Sequence, residues 1–278
     1  MRHLYSALPF GAVNLSHRVV MAPPPLFHSD LPGGVPSWEM AALYRHWASR
    51  GGLIVTEEAA IAPRGGRSQE APAPGIYSEA QVMAWRGITD AVHAQGGKIF
   101  QQLWRSRAHS DSALTRASPA SIVAEYCRAA RNAKAADFDG VEIQAARGIL
   151  FNPLDPADTD ERCSLLAAIA EALFGLWGKG RVGVRLEPRH MPGVPDCLIE
   201  RLNALDRTYL HLVGFPGIDE SALSTIRSRF RGRIILAGDF TPAQAERIVA
   251  DGLADLIARG PSFSSRSDLL PLELPRAG

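Results

Sequence analysis

The unit that decides the fold is residues 78–104, SEAQVMAWRGITDAVHAQGGKIFQQLW. Ser78, followed by Gln81 three residues later, has the form of a capping box, in which each side chain satisfies a backbone N–H of the other residue at a helix start. Gly96-Gly97 closes the predicted helix, because glycine accepts the left-handed backbone that often follows a helix. The short apolar run at 98–103 is typical of a strand buried on both faces of a parallel sheet.

The same alternation of a short apolar run and a longer helical pattern repeats some eight times along the chain. Parallel strands joined by helices need right-handed crossovers, which leaves a closed barrel or an open doubly wound sheet. No Gly-x-Gly-x-x-Gly turn follows a strand, so the barrel is favoured. We therefore predict an α/β fold, a single (β/α)8 TIM barrel domain over residues 1–278. The predicted strands are 18–22, 53–57, 98–103, 140–143, 181–186, 208–213, 233–237 and 254–258.

Composition and charge exclude several classes of partner. Apolar residues make up 46% of the chain, and the net charge of +1 offers no surface for nucleic acid or membranes. Three scattered cysteines, Cys127, Cys163 and Cys197, argue for a reducing compartment and against a disulfide framework. No metal-ligand spacing, secretory signal or membrane span is recognised. We expect a cytoplasmic protein with a small-molecule partner and no metal, and homo-oligomerisation stays open.

Candidate site residues follow from where a barrel of this kind places its chemistry, at the carboxyl ends of the strands. Arg185 lies in an otherwise apolar strand on the face of Gly183, so we predict an inward guanidinium with a partner. Glu142 shares a face with Gln144 and is interpreted as the structural partner of an inward cation, and His211 as a hydrogen-bonded core histidine. A ring of salt bridges and a polar pocket for an anionic or carbonyl-bearing molecule both fit this rim.

A resemblance to a known family runs through nearly the whole chain. It is carried in order by 18–23 (RVVMAP), 52–57 (GLIVTE), 74–78 (PGIYS), 97–104 (GKIFQQLW), 138–143 (FDGVEI), 181–186 (RVGVRL), 209–213 (YLHLV) and 252–256 (GLADL). These stretches resemble the old yellow enzyme family, FMN-dependent ene-reductases on a (β/α)8 barrel. The resemblance implies that Gln102 and Arg185 hold the isoalloxazine ring, and Trp104 also matches the family. If FMN is retained, the phosphate-end candidates are Gly238, Arg259 and Gly260.

Several flavin contacts of the family are replaced in this chain. A threonine or cysteine after the first strand becomes Pro25, and a small residue in the second strand becomes Glu58. At the phosphate end, Asp239 stands for a glycine and Pro261 for an arginine, although a phosphate needs backbone N–H groups and positive charge. The loops after the third and fourth strands and the C-terminal arm are also shorter than the family pattern.

The substrate side of the family pattern is replaced as well. The third strand continues into Arg105 in place of a histidine. The pair that anchors the substrate carbonyl becomes Gln144 and Arg147, and the proton-donating tyrosine becomes Ile149. Together with the altered flavin contacts, these changes predict that conventional FMN binding is lost.

We therefore favour the hypothesis of a cofactor-free, redox-neutral enzyme, an isomerase, cyclase or hydratase of specialised metabolism that acts on a small enone or other conjugated carbonyl compound. Glu58 would be its general acid–base, and the oxyanion donors would be Arg105, Arg147 and Arg185. Gln144 is a further catalytic candidate, which in the ene-reductase alternative would donate a hydrogen bond to the substrate carbonyl. The substrate pocket would comprise Pro25, Trp104, Ile149 and His211. The alternatives are an FMN-dependent NAD(P)H ene-reductase and a non-catalytic relic that binds a ligand or a partner protein.

Overall fold

The computed structural model describes residues 2–22, 32–63, 73–105, 118–145, 159–187, 196–205, 208–215 and 220–259. Its strands are β1 (Leu8–Phe10), β2 (Val13–Leu15), β3 (Val19–Met21), β4 (Leu53–Ala60), β5 (Lys98–Trp104), β6 (Gly140–Gln144), β7 (Val182–Leu186), β8 (Tyr209–Phe215), β9 (Arg233–Gly238) and β10 (Leu256–Arg259). Strands β3 to β10 are parallel and follow one another around a closed barrel, in which β10 pairs with both β9 and β3.

The predicted barrel is confirmed, and each of its eight strands lies within a few residues of its predicted position. The pairing of the last strand with the first excludes the open doubly wound sheet. One boundary differs clearly: β4 continues to Ala60, whereas the predicted strand ends at residue 57. The extension carries Glu58 inside the strand, so its backbone position is set by pairing with β5.

Helices follow most of the strands and cover the outside of the barrel. They are α1 (Trp38–Trp47), α2 (Glu79–His93), α3 (Pro119–Ala135), α4 (Thr159–Trp177), α5 (Asp196–Ala204), α6 (Glu220–Arg229) and α7 (Pro242–Ala250), with a 3-10 turn at Pro32–Gly34. The predicted capping box is present, with Ser78 accepting from the N–H of Gln81 and the Gln81 side chain accepting from the N–H of Ser78. Among the described residues, no helix combines the length and the apolar character needed to cross a membrane.

The amino end of the barrel is closed by a hairpin that the sequence analysis did not predict. Strands β1 and β2 pair antiparallel, and their buried side chains join the cluster inside the barrel. Phe10 of the hairpin lies with its ring centroid 5.0 Å from that of Tyr209 and 6.2 Å from that of Phe100. These three aromatic rings pack against one another inside the amino-terminal half of the barrel, below the polar side chains near the carboxyl ends of the strands.

Two glycines make room for this aromatic layer. A Cβ atom on Gly183 would lie 2.0 Å from the ring of Tyr209, and one on Gly140 would lie 2.6 Å from the ring of Phe100. Both distances are far below van der Waals contact, so any side chain at these positions would displace an aromatic ring. Because Gly140 of β6 and Gly183 of β7 carry no side chains, the aromatic rings occupy this part of the interior. The polar side chains begin nearer the carboxyl ends of the strands.

Candidate active site

A β-bulge in β4 decides which carboxylate enters the barrel. Val55 pairs with Phe100 and Glu58 pairs with Gln102, so β4 uses one residue more than β5 over the same length. Because side chains alternate between the two faces of a strand, the extra residue reverses the alternation and turns Glu58 inward. The Thr56 hydroxyl oxygen stabilises the bulge by accepting from the backbone N–H of Gln102 at 3.0 Å.

The neighbouring carboxylate is directed away from the interior. The backbone N–H of Glu57 donates to the Tyr44 hydroxyl of α1 at 3.1 Å. Burial, together with the charge of Glu57, holds the pKa of Tyr44 well above its ordinary value. Glu57 thus belongs to the packing between β4 and α1, and Glu58 alone of the pair joins the polar interior.

A chain of hydrogen bonds leads from the barrel mouth to its centre. The Gln144 amide donates from Nε2 to Glu58 Oε1 at 2.8 Å and to Gln102 Oε1 at 3.1 Å. The Gln102 amide in turn donates to Glu142 Oε1 at 2.8 Å. The orientation of both amides is assigned from this network, since each amide nitrogen then faces an oxygen. Two amides therefore relay a contact from the half-buried Glu58 to the fully buried Glu142.

Glu142 interacts with the buried His211 and with the charge of the partly buried Arg185. The His211 ring lies with Nδ1 3.0 Å from Glu142 Oε2, and Arg185 Nη1 lies 3.5 Å from His211 Nε2. Burial alone would raise the pKa of Glu142, but His211, Arg185 and Gln102 hold that pKa below its ordinary value. Burial, reinforced by Arg185, lowers the pKa of His211. The pair is therefore an ionised carboxylate and a neutral imidazole that donates from Nδ1 and accepts at Nε2.

The structure places these three side chains in the barrel interior, while their predicted catalytic, cofactor-binding and pocket roles stay predictions. Arg185 faces inward and has a partner, Glu142 is a buried structural partner, and His211 is a hydrogen-bonded core histidine. Because His211 is fixed through Nδ1, its Nε2 atom offers a fixed acceptor to the Arg185 guanidinium. The network thus holds one cation at a defined place near the carboxyl end of β7.

The opposite wall of the mouth is lined by small residues. Ala237 of β9 pairs with Ala258 of β10, and both pack against the interior cluster together with Ala22, which follows β3. A flat ring system needs an apolar wall that carries no long side chains, and it also needs hydrogen-bonding groups along one of its edges. The alanines supply the first and the amide of Gln102 and guanidinium of Arg185 supply the second, so the described residues fit the isoalloxazine ring of FMN.

Two other predicted site residues are not brought to this network. Arg105 turns outward to α3, where its Nε atom donates to Glu125 Oε2 at 2.7 Å. The structure thus gives Arg105 a partner on α3, and its role as an oxyanion donor stays an untested prediction. Trp104 is buried at the end of β5, where it pairs with Ala60 of β4.

The phosphate end is described only in part. Gly238 ends β9, and Asp239 follows it. Arg259 ends β10, but its side chain lies beside Tyr5 and the start of α7, on the outer side of the strand. Burial lowers the pKa of Arg259. The remaining predicted positions, Pro25, Arg147, Ile149, Gly260 and Pro261, lie outside the described residues.

Comparison with known proteins decides the family. A sequence model of the NADH:flavin oxidoreductase / NADH oxidase family matches residues 3–121. The 12-oxophytodienoate reductase 1 of Oryza sativa subsp. japonica is 32% identical over 96% of this chain and 84% of its own length. The putative 12-oxophytodienoate reductase 2 of the same organism is also 32% identical, over 96% and 85%. The chain belongs to the old yellow enzyme family.

Solved structures agree with this assignment to the old yellow enzymes. A mutant of morphinone reductase in complex with tetrahydroNAD is 27% identical and superposes with a TM-score of 0.77, covering 94% of this chain and 87% of that one. TcOYE, solved with pHBA, shares the fold with a TM-score of 0.80 at 24% identity, over 95% and 90%. Both superpositions extend over nearly the whole barrel.

The expectation of a cofactor-free protein is wrong for an old yellow enzyme. The matching family model is that of FMN-dependent NADH:flavin oxidoreductases, and the relatives are named as reductases. The redox-neutral isomerase, cyclase or hydratase hypothesis loses its basis with that expectation. The chain is related to oxidoreductases, and the ene-reductase alternative is the one that the comparisons support.

Sequence reasoning missed three features of this old yellow enzyme site. The alanine wall was overlooked although strand alternation in 233–237 and 254–258 places Ala237 and Ala258 inward. The bulge in β4 had one signal, a threonine just before two glutamates, since a hydroxyl can satisfy the backbone group that a bulge leaves open. The outward turn of Arg105 had no local signal, because Glu125 is twenty residues away on another element.

Proposed function

We propose that the protein is an FMN-dependent oxidoreductase that reduces the activated alkene of a small conjugated carbonyl compound with NAD(P)H. The observation that carries the proposal is the Arg185 guanidinium, held near the end of β7 by the chain Glu142–His211 and facing an alanine wall. This arrangement, together with Gln102, has the shape and the donors that a flavin ring needs. The family membership of the chain supports the same reaction class.

The part of Arg185 in this proposal is electrostatic. FMN held by Gln102 and Arg185 would supply the hydride-transfer chemistry that links NAD(P)H to the alkene. A guanidinium stays ionised at all accessible pH values, so Arg185 would offer the bound cofactor a permanent positive charge, which favours negative charge on that cofactor. His211 and Glu142 act through Arg185 as positioning residues, since His211 contacts the Arg185 side chain and Glu142 holds His211. The side chain of Gln102 is held in place by its own hydrogen bond to Glu142.

The part of Gln144 is to orient the substrate carbonyl. The amide lies at the end of β6, where it donates one hydrogen to Gln102 and the other to Glu58. The bond to Gln102 lies inside the barrel, whereas Glu58 is half-buried at the mouth. A carbonyl oxygen that enters the site therefore competes with the Glu58 carboxyl group for one N–H of Gln144. Substrate affinity in this protein depends on how readily Glu58 gives up that hydrogen bond.

Flavin titration tests the proposed reaction. We expect the purified protein to bind FMN at one equivalent, to lose its visible flavin bands on anaerobic addition of NADPH, and to regain them on addition of 2-cyclohexenone. The variant Arg185→Ala should bind FMN at least tenfold more weakly, which corresponds to the loss of one charge-assisted contact of about 1.4 kcal/mol or more. Arg181→Ala, at the amino end of the same strand, is the matched control, because Arg181 Nη1 donates to the backbone oxygen of Asp139.

Two results would count against the proposal. A colourless protein that binds no added FMN would refute it outright. FMN binding that Arg181→Ala and Arg185→Ala weaken equally would show that the guanidinium near the end of β7 has no special part in holding the ring.

A second experiment tests the role of Glu58. Glu58→Gln keeps the size and hydrogen-bonding capacity of the side chain and removes its negative charge, so the substrate carbonyl meets a weaker competitor for Gln144. We expect KM for 2-cyclohexenone to fall several-fold, while the rate of flavin reduction by NADPH is unchanged. A slower reoxidation by the enone with an unaltered KM would instead indicate that Glu58 transfers a proton, and would refute the competition.

A further inference from the structure

A large cavity opens at the amino end of the barrel, on the side away from the candidate site. Its volume is about 850 Å³, and it lies beside Gly11 in the hairpin turn, Leu205 after α5 and Gly232 before β9. These segments belong to the end of the barrel at which the strands begin. The described residues that line the cavity include none of the polar network near the carboxyl ends of the strands.

Arginines dominate the charged side chains of this cavity. Among the described residues that line it, Arg227, Arg231 and Arg233 are basic and Asp255 is acidic. Asp255 accepts at Oδ2 from Arg227 Nη1 at 3.1 Å, and at Oδ1 from Arg233 Nη1. Its Oδ2 atom also accepts from the backbone N–H of Ile234 at 2.9 Å. Three arginines against one aspartate leave the lining with an excess of two positive charges.

The guanidinium of Arg231 is the one that the surrounding residues leave uncompensated. Arg227 donates from Nη2 to the backbone oxygens of Phe230 and Gly232, which follow α6 and would otherwise attract a nearby cation. The backbone N–H of Arg231 donates to Asn203 Oδ1 at 2.8 Å, so the chain is held in place at this point. The Arg231 side chain is exposed and has no hydrogen-bond or ion-pair partner within the part of the chain that the structure describes.

A buried hydroxyl in the wall of the same cavity also lacks a partner. Thr208 precedes β8, lines the cavity and is only 1% exposed. Its Oγ1 atom makes no hydrogen bond to any of the described residues, although buried polar groups in folded proteins are nearly always paired. A hydroxyl and a guanidinium can both donate to one oxyanion, and donors with charge form the stronger bonds.

We propose that this cavity is a second small-molecule site, which binds a ligand that carries a phosphate or pyrophosphate group. Arg231 and the partly exposed Arg233 offer guanidinium N–H groups, whose planar arrangement matches the oxygens of a phosphate, and Thr208 offers its hydroxyl. The excess of two positive charges matches the roughly −1.5 to −2 charge of a phosphate monoester near neutral pH. The inference goes beyond the proposed function, because the cavity and the interior network share no described residue.

The size of the cavity also admits more than the phosphate group itself. Sites that hold whole small molecules have volumes on the order of 300–1,000 Å³, and this cavity lies within that range. Inorganic pyrophosphate and a nucleoside diphosphate share the chemistry that the arginines recognise. Titration with both compounds separates these two sources of the phosphate groups.

Calorimetric titration with sodium pyrophosphate at constant ionic strength tests the site. The protein is titrated once without FMN and once saturated with FMN, so that binding at a flavin phosphate site is recognised by its loss in the second series. We expect one equivalent to bind in both series with a dissociation constant of roughly 1 mM or below. Tighter binding of ADP than of pyrophosphate would indicate a nucleotide ligand, and equal binding would indicate that the phosphate groups alone are recognised.

Single variants assign the binding to this cavity. Arg231→Gln should weaken pyrophosphate binding several-fold, because it removes the uncompensated charge. Thr208→Val should also weaken binding while the unfolding midpoint stays at or above that of the wild-type protein, since the hydroxyl makes no bond to the described residues. The matched control is Arg128→Gln, which removes an exposed arginine of α3 outside the cavity and should bind like the wild-type protein.

Three results would overturn the proposal. The first is a wild-type protein that binds neither pyrophosphate nor ADP. The second is an equal loss of affinity in Arg231→Gln and Arg128→Gln, which would show that only the overall charge of the protein matters. The third is wild-type affinity in both Arg231→Gln and Thr208→Val, which would place the bound anion elsewhere.

Discussion

Replacement of Glu142 by glutamine should disturb the site from below. Glu142 is fully buried and accepts two hydrogen bonds, from Gln102 Nε2 at 2.8 Å and from His211 Nδ1 at 3.0 Å. In Glu142→Gln, the amide oxygen can still accept from Gln102, but the amide nitrogen then faces the N–H of His211. Two donors oppose each other unless His211 moves its proton to Nε2, and that proton then faces the Arg185 guanidinium.

The cost follows from the same geometry. One hydrogen bond to a charged group is lost, a buried donor of His211 is left without an acceptor, and the partly buried Arg185 loses a nearby negative charge, which together cost on the order of 3 kcal/mol. For a chain of this size that corresponds to a fall of roughly 6–12 °C in the unfolding midpoint. Glu58→Gln is the control at the other end of the same hydrogen-bonded chain, where a half-buried contact is worth about 1 kcal/mol or less.

Thermal unfolding by circular dichroism, with and without FMN, measures both variants. Glu142→Gln should lower the midpoint far more than Glu58→Gln and should also weaken FMN binding, because Arg185 is no longer held. Equal midpoints for the two variants would refute the view that Glu142 compensates Arg185.

The stability of the folded protein should fall as the pH is lowered. The pKa of Glu142 is lowered in the folded protein, so its contribution to stability is complete above its unfolded value of about 4.3 and is lost as the pH falls through the folded value. The pKa of His211 is also lowered in the folded protein. The free energy of unfolding therefore falls once the pH drops below about 6.5, because the His211 ring is then protonated in the unfolded chain but not in the folded protein. Both groups destabilise the fold on acidification, and the loss at the His211 step should come first.

Two further predictions concern the barrel wall. Gly183→Ala places a Cβ atom 2.0 Å from the Tyr209 ring, so we expect a destabilisation of about 2 kcal/mol or more in urea unfolding. The control Gly175→Ala lies in a helix with no neighbouring atom near its Cβ and should stabilise the protein by up to about 1 kcal/mol. Equal effects of the two variants would refute the packing argument. The pKa of His93 is raised, chiefly by its hydrogen bond to Asp139, so its stabilising effect is complete below pH about 6.5 and is lost as the pH rises through the folded pKa. The stability difference between the wild-type protein and His93→Gln should therefore shrink with rising pH, and a difference that grows with pH would contradict this.

Most of the inner polar layer was predictable from sequence. Strand alternation places Glu142, Arg185 and His211 inside the barrel, and a buried charge requires a partner, so their association follows from two simple rules. The side of the strand on which Glu58 lies was not derivable from alternation, because it depends on an extra residue in the pairing of β4 with β5. The contact of Arg105 with Glu125 depends on how α3 packs, which no local pattern records.

The cofactor prediction failed for a different reason. It counted replaced side chains, among them Pro25, Glu58 and Asp239, and treated each as a lost contact. Cofactor affinity is distributed over backbone groups, apolar walls and a few fixed charges, so it survives many side-chain changes. Arg185, which matches the family pattern, and the alanine wall both lie in the barrel interior and fit a flavin, although several side chains around them are replaced.

The bulge in β4 makes the charge at the mouth depend on the number of residues in a strand. If the same sequence paired without the bulge, Glu57 would lie opposite Gln102 and face inward, and Glu58 would face outward. Two consecutive glutamates mean that a carboxylate is available to either register. Loss of the bulge would therefore replace the inward acid by its neighbour while keeping the same amino acids.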